Sequence, residues 1–324
     1  MPITISGGVQ LTGPVTLGPG AVPAPTPGAE NFGYIAGGGP GYTNKIEKYS
    51  FTSDGNSTNV GTLVSARSQL TGNSSDVSGY AQGGYVVSSV NQIDKWPFAS
   101  DGAASFVGNL SSARRMCSGQ SSIENGNGYQ SGGLEDNPPN QTRVTKVDKF
   151  SFASDGDGTK VLDLTYSALG LVGSQSTDNG YSMGGMGGPT TSTTFNNINK
   201  FPFTSDTNAT DIGDLTVSVL LGAGHFSSTN GYYSGGWIPG TPGPGRITTI
   251  QKFPFASDSN ATDVADLTVA SSDSCGTSSK TFGYVTGGEP DMDNIQKFEF
   301  ASDGDATNVG NLTVNTQYAA SAQY

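Results

Sequence analysis

Lys252-Phe253-Pro254-Phe255-Ala256-Ser257-Asp258 is the stretch that decides the fold. It recurs at Lys48, Lys95, Lys149, Lys200 and Lys297, always as Lys, aromatic, any residue, Phe, Ala or Thr, Ser, Asp. Successive lysines stand 47, 54, 51, 52 and 45 residues apart. Strand and turn signals repeating about every 50 residues are the mark of a propeller array.

A second element keeps register with the first. Gly-Tyr-x-x-Gly-Gly occupies 33–38, 79–84, 128–133, 180–185, 231–236 and 283–288. An Ile or Val precedes each Lys by two positions: Ile46, Ile93, Val147, Ile198, Ile250 and Ile295. In a strand Ile250 faces one way and Phe253 the other, so the strand is apolar on both sides and should be covered on both. After each Ser-Asp comes a turn, then Val or Ile, then Leu, as in Val264 and Leu267. Each repeat therefore reads as four strands. Strand a is a run of small residues (such as 112–122 or 217–228), b carries Gly-Tyr-x-x-Gly-Gly, c the Lys motif and d the Val and Leu. Small residues suit strand a if it is innermost. The first Gly-Tyr-x-x-Gly-Gly has no strand a before it, and Thr313 to Tyr324 resembles a strand a with nothing after it. The expected fold is all-β, a six-bladed propeller over residues 31–324 closed by the C-terminal strand, which leaves no open sheet edge.

Residues 1–30 form a separate unit. Ile3, Ile5, Val9, Leu11, Val15 and Leu17 are spaced by Thr, Gly and Pro, and Pro23, Pro25 and Pro27 make a stiff linker. The arm is too short to bury its own apolar residues. It is expected to dock by adding strands to a partner.

Composition narrows the function classes. The chain has 324 residues, 48 of them Gly, and a net charge of −12 with 15 basic residues. Nucleic-acid binding needs clustered Lys and Arg, and no such cluster is present. No apolar run approaches a membrane span, and Met1 is not followed by a signal-peptide pattern, so synthesis in the cytoplasm is expected. The Asn-x-Ser/Thr triplets at Asn56, Asn73, Asn109, Asn140, Asn208, Asn260 and Asn311 read as turn chemistry.

The double Gly ending strand b, the Ile/Val-x-Lys-aromatic strand c, the late Leu, and Arg67 and Arg114 entering strand a together resemble the kelch family of β-propellers. The chain departs from kelch in strand d, where Val and Leu replace the Trp. The wording Phe-Ala-Ser-Asp and Asn-Ala-Thr-Asp is similar to repeat proteins of phages infecting marine cyanobacteria. That resemblance implies a virion or tail-associated protein. Kelch-like copper oxidases need two His with Tyr and Cys, and here His225 stands alone. Sialidase propellers need an Arg cluster, and only five Arg exist. Cys117 and Cys275 fall on opposite sides of a six-blade ring, beyond disulfide reach, and read as inert thiols. Asp155-Gly156-Asp157 and Asp303-Gly304-Asp305 lack the ligand series of a calcium loop. No metal and no cofactor are expected. The repeated lysines read as stems over aromatics with heads reaching acceptors or water.

Loop length breaks the uniformity. The b–c loops hold 7, 8, 13, 12, 13 and 6 residues, so repeats three to five carry the long ones on one rim. They contain Glu135, Asp136, Arg143, Phe195, Trp237 and Arg246. Variable loops on a rigid scaffold are where binding concentrates. These residues are the candidate contacts for a host-surface glycan or protein. The expected function is a non-enzymatic phage virion component, a tail-fibre or receptor-binding propeller joined to other virion proteins through residues 1–30. Two alternatives stand beside it: a structural or decoration protein using the propeller as a rigid block, and a glycan hydrolase. A hydrolase would need convergent carboxylates at the channel mouth, where Asp273 is the one inward acid.

Overall fold

The computed structural model describes residues 31–137, 140–188, 193–240, 245–290 and 293–324. The arm residues Ile3, Ile5, Val9, Leu11, Val15 and Leu17 lie outside the described residues. No helix occurs among the described residues, and the chain is all-β. Its sheets are antiparallel, and six of them have four strands.

Five sheets come from single repeats. Their a strands are Thr71–Ser74, Ser118–Ser122, Val172–Gln175, Ala223–Phe226 and Cys275–Ser278. The remaining sheet joins the two ends of the array. Ala320–Gln323 pairs with Phe32–Ala36, which pairs with Lys45–Ser50 and then Thr58–Thr62. In that register Tyr34 faces Ala322. The a strands are shorter than the small-residue runs suggest, because the residues before them turn through a left-handed position described below. Each a strand touches the a strands of its neighbours in the repeat order, and Ala320–Gln323 touches both Cys275–Ser278 and Thr71–Ser74. All six line one central cavity of about 160 Å³. The arrangement is propeller-like.

The two sequence motifs lock into each other. Within a sheet, the aromatic after each Lys lies across the Gly of the neighbouring Gly-Tyr. A Cβ on Gly79 would sit 2.2 Å from Trp96, and one on Gly231 2.2 Å from Phe253. Only glycine leaves the ring that seat. Between sheets, each Gly-Tyr tyrosine packs on the second aromatic of the next motif: Tyr34 tilted on Phe98, and Tyr80 stacked on Phe152, Tyr129 on Phe203, Tyr181 on Phe255 and Tyr232 on Phe300. Tyr284 stacks on Phe51, with ring centroids 4.6 Å apart, which takes the series back to the first motif. Such pairs add about 0.5–1.5 kcal/mol each beyond the area they bury.

The lysines follow the same rule. Each pairs with the last residue of the next motif: Lys48 with Asp101 (3.0 Å), Lys95 with Asp155 (2.9 Å), Lys149 with Asp206 (2.7 Å), Lys200 with Asp258 (2.8 Å), Lys252 with Asp303, and Lys297 with Asp54 (2.5 Å). Three of the heads also lie near aromatic rings, with Lys48 4.2 Å above Phe32. These are half-exposed pairs worth under about 1 kcal/mol apiece. Their value lies in register, since both ends of the heptad are used.

A third link comes from the residue between Ile/Val and Lys. The c–d pairing shifts register beside it in every sheet. Such an irregularity re-aims a side chain. Here the side chain accepts backbone N–H from the preceding sheet: Val64 to Asp94 (3.1 Å), Ser111 to Asp148 (2.8 Å), Thr165 to Asn199 (2.8 Å), Thr216 to Gln251 (2.6 Å), Thr268 to Gln296 (2.8 Å) and Thr313 to Glu47 (2.8 Å). Where this residue is Asp, an arginine four places after the preceding Leu meets it. Arg67–Asp94 (2.8 Å) and Arg114–Asp148 (3.0 Å) are fully buried ion pairs. Where it is Asn or Gln, the matching positions hold uncharged Ala168, Val219 and Ser271. The turn asparagines Asn56, Asn208 and Asn260 accept N–H groups of Asn311, Asp163 and Asp214 in the same inter-sheet manner.

Candidate functional site

The rim carrying the b–c loops holds all the candidate contact residues, and the long loops add strands that the pattern of the repeat does not announce. Leu134–Asn137 pairs with Asn140–Arg143. Ala168–Leu169, Met186–Gly187 and Thr193–Thr194 form a small three-stranded sheet. Trp237 bridges both Leu220 and Arg246.

These residues face different neighbours. Glu135 is buried and accepts from Ser112 (2.6 Å) and Lys146 (2.7 Å). Asp136 reaches the second repeat, accepting from the Ser89 N–H (2.7 Å), the Ser89 hydroxyl (2.8 Å) and Arg115 (2.9 Å). Burial raises the Asp136 carboxyl, but the Ser89 hydrogen bonds and the Arg115 charge outweigh it and hold the group below its ordinary range. Arg246 turns toward the sixth repeat and pairs with Glu289. Arg143 is half-buried and donates to Gly188 O at 3.5 Å. Phe195 packs on Tyr166 with centroids 4.3 Å apart. Trp237 is half-buried against an apolar cluster of Leu134, Leu169 and Leu220, rather than standing free. On the short-loop side Tyr42 is exposed beside Tyr85, whose ring carries Arg115 at 4.3 Å. At the rim Asp136 and Arg246 thus make inter-sheet pairs, and the exposed Tyr42 lies on the side the loop lengths do not single out.

The mouth of the central cavity at this rim is built differently. Six residues after each late Leu the backbone turns left-handed: Gln69 (φ 60°), Met116 (53°), Gly170 (67°), Leu221 (62°), Asp273 (63°) and Tyr318 (55°). Each donates its N–H to the carbonyl of the one before. Gln69 donates to Tyr318, Tyr318 to Asp273, Asp273 to Leu221, Leu221 to Gly170, Gly170 to Met116 and Met116 to Gln69, at 2.7–3.1 Å. The series returns to its starting residue. Left-handed backbone costs non-glycine residues about 1 kcal/mol or more, which the surrounding hydrogen bonds over-determine. Below it, glycines bring the a strands into contact. A Cβ on Gly224 would lie 2.0 Å from Gly173 O, and one on Gly276 2.2 Å from Gly224 O. Of the mouth residues, only Asp273 stood out in the sequence. The others share a fixed offset from Leu, but just one is glycine, so the conformation leaves no compositional trace.

His225 and the thiols are sealed. His225 is fully buried, donates from Nδ1 to Thr277 O (3.1 Å) and meets Phe298 edge-on. Burial pushes its pKa down to about 4. Burial pushes both Cys117 and Cys275 up to about 12. The histidine has a consequence for acid stability. A neutral buried imidazole stabilises the fold fully above its unfolded value near 6.5, and that contribution is lost as pH falls from there to about 4. His225→Gln (Gln120 stands at the equivalent place) should flatten this dependence by about 3 kcal/mol between those limits. Denaturant midpoints at pH 7 and pH 4.5 check it, and parallel pH profiles for both proteins would refute it.

No protein-family model matches this chain, and neither does any curated protein sequence. The solved structure of YjhT is similar to it, with a TM-score of 0.66 and 12% identity over 80% of this chain and 88% of that one. This is a likeness of fold alone.

Proposed function

We propose that residues 31–324 are a six-bladed kelch-like β-propeller closed by the C-terminal strand, and that the protein is a non-enzymatic phage virion component. On this reading it is a tail-fibre or receptor-binding module attached to other virion proteins through residues 1–30. The observation that carries the fold reading is the return of three independent link series, Tyr284–Phe51, Lys297–Asp54 and Thr313–Glu47, from the sixth motif to the first. The functional reading rests on the cyanophage resemblance, on a rigid and uniform body, and on variation gathered at one rim. The second reading, a rigid decoration block, draws support from Glu135, Asp136 and Arg246, which are already paired within the chain.

One experiment separates them. A chain lacking residues 1–30 should melt as the full chain does and be absent from purified particles, and normal incorporation would refute attachment through the arm. In particles carrying Arg143→Ala, adsorption to host cells should fall well below that of particles carrying Tyr42→Asn. Equal adsorption would make the rigid block the better reading.

A further inference from the structure

The six mouth positions are equivalent in backbone, yet their side chains divide the opening into two halves. Asp273, Tyr318 and Gln69 are consecutive around the hydrogen-bonded series, and so are Met116, Gly170 and Leu221. One half is polar and the other apolar. The apolar half runs outward into the cluster of Leu134, Leu169 and Leu220. Gly170 is already crowded by that half, since a Cβ there would meet Leu221 at 3.0 Å.

The polar half carries unused acceptors. Asp273 is 8% exposed and lines the cavity, and its Oδ1 has no hydrogen-bond partner. Its Oδ2 accepts from Ser272 at 2.8 Å. The Tyr318 phenol lies against the same carboxyl without a bond of ordinary geometry to Oδ1. Gln69 also lines the cavity, and its Oε1 is likewise buried without a donor. Buried acceptors without partners are rare and costly, and they mark places where a donor fits.

We propose that this mouth binds the end of an uncharged sugar, with Asp273, Gln69 and Tyr318 against its hydroxyl edge and Leu221 and Met116 against its C–H face. Orphan acceptors call for O–H donors and disfavour an anion. The neighbouring Glu289 already has Arg246 as its counter-charge. Burial, with Glu289 nearby, raises the Asp273 carboxyl above its ordinary range. The apolar half offers the aliphatic side chains of Met116 and Leu221 to the C–H face of a pyranose ring. The inference concerns the channel mouth, not the loop tips, and does not depend on the virion reading.

The test is calorimetry and ligand-observed NMR on the full chain with the methyl glycosides of glucose, galactose and mannose. Glucosamine and glucuronic acid serve as the cationic and anionic probes. At least one neutral glycoside should bind in the millimolar range, as fits so small a contact, and more tightly than either charged probe. Asp273→Gly suits the left-handed backbone, as Gly170 does at the equivalent position, and should weaken binding at least tenfold with the melting curve retained. Leu221→Asn, also compatible with that backbone, should weaken it as well. Absence of neutral-sugar binding, preference for a charged probe, or unchanged affinity in Asp273→Gly would overturn the proposal. A chain that binds glycosides yet is missing from virions would leave this inference standing and sink the virion assignment.

Discussion

A chain ending at Leu312 is expected to lose its soluble, cooperatively folded form. The missing residues supply Ala320–Gln323, whose removal bares the hydrogen-bonding edge of Phe32–Ala36. They also supply Tyr318 in the mouth series, Tyr324 against Phe98 (5.2 Å), and the Gln323 Oε1 that accepts Ser278 N–H (2.8 Å). Ala320 and Ala322 are buried, and both neighbouring a strands lose a face. A domain holds only about 5–15 kcal/mol of net stability, so a loss on this scale leaves little. The bared edge is also a template for aggregation. Size-exclusion chromatography and thermal unfolding check the outcome, and adding the peptide 313–324 in trans should restore part of the fold. A truncated chain that stays monomeric and melts within a few degrees of the full one would show that the strand is dispensable.

Arg67→Met is the second large effect, with an expected loss of about 3–5 kcal/mol. Asp94 is fully buried and would be left without its counter-ion, although it would keep the Val64 N–H and Gln92 as donors. Arg67 also donates to Gly83 O (2.9 Å) and Ala81 O (3.2 Å), and both carbonyls would lose that bond. Adding Asp94→Asn should recover most of the loss. The chain already uses that solution: Asn199 accepts from Thr165 with Ala168 in the place of the arginine. Urea midpoints for the single and double variants decide it. A double variant no more stable than the single one would mean that the lost carbonyl contacts, not the buried charge, dominate.

The all-β class and the strand content of each repeat were legible because the motifs are contact surfaces. Gly-Tyr and Lys-aromatic-x-Phe are seats and rings that touch, so their spacing records the packing directly. The missing first strand and the spare last one pointed to Tyr34, where Ala322 lies. The partner of each lysine was not legible. The aspartate sits six residues away in the same motif, yet the bond goes to the next copy, some 50 residues on, and a local reading cannot choose between them. Glu135 and Asp136 were named for their loop, but loop length says nothing about whether a side chain faces outward or across a junction. Trp237 is held in an apolar cluster for the same reason. The mouth residues share only an offset from Leu, and a conformation imposed by inter-sheet hydrogen bonds carries no residue preference to read.

Because each heptad begins with the donor of a joint and ends with its acceptor, every repeat presents the same head and the same tail. Such a heterologous joint is indifferent to which copy stands where, and it closes only through rotation angle. Opening the chain between Asp157 and Lys160 and tying residue 324 to residue 31 with a short linker would therefore leave the tyrosine stacks and lysine pairs intact and disturb only the turn contacts to Asn109. A circularly permuted chain should fold to the same body. What fixes the order of the copies lies at the rim, where neighbouring repeats meet through contacts that do not recur: Asp136 of the third on Ser89 of the second, and Arg246 of the fifth on Glu289 of the sixth. Swapping the second repeat for the fifth would keep the tyrosine stacks, the lysine pairs and the buried Arg67–Asp94 pair, but would part Asp136 from Ser89 and Arg246 from Glu289.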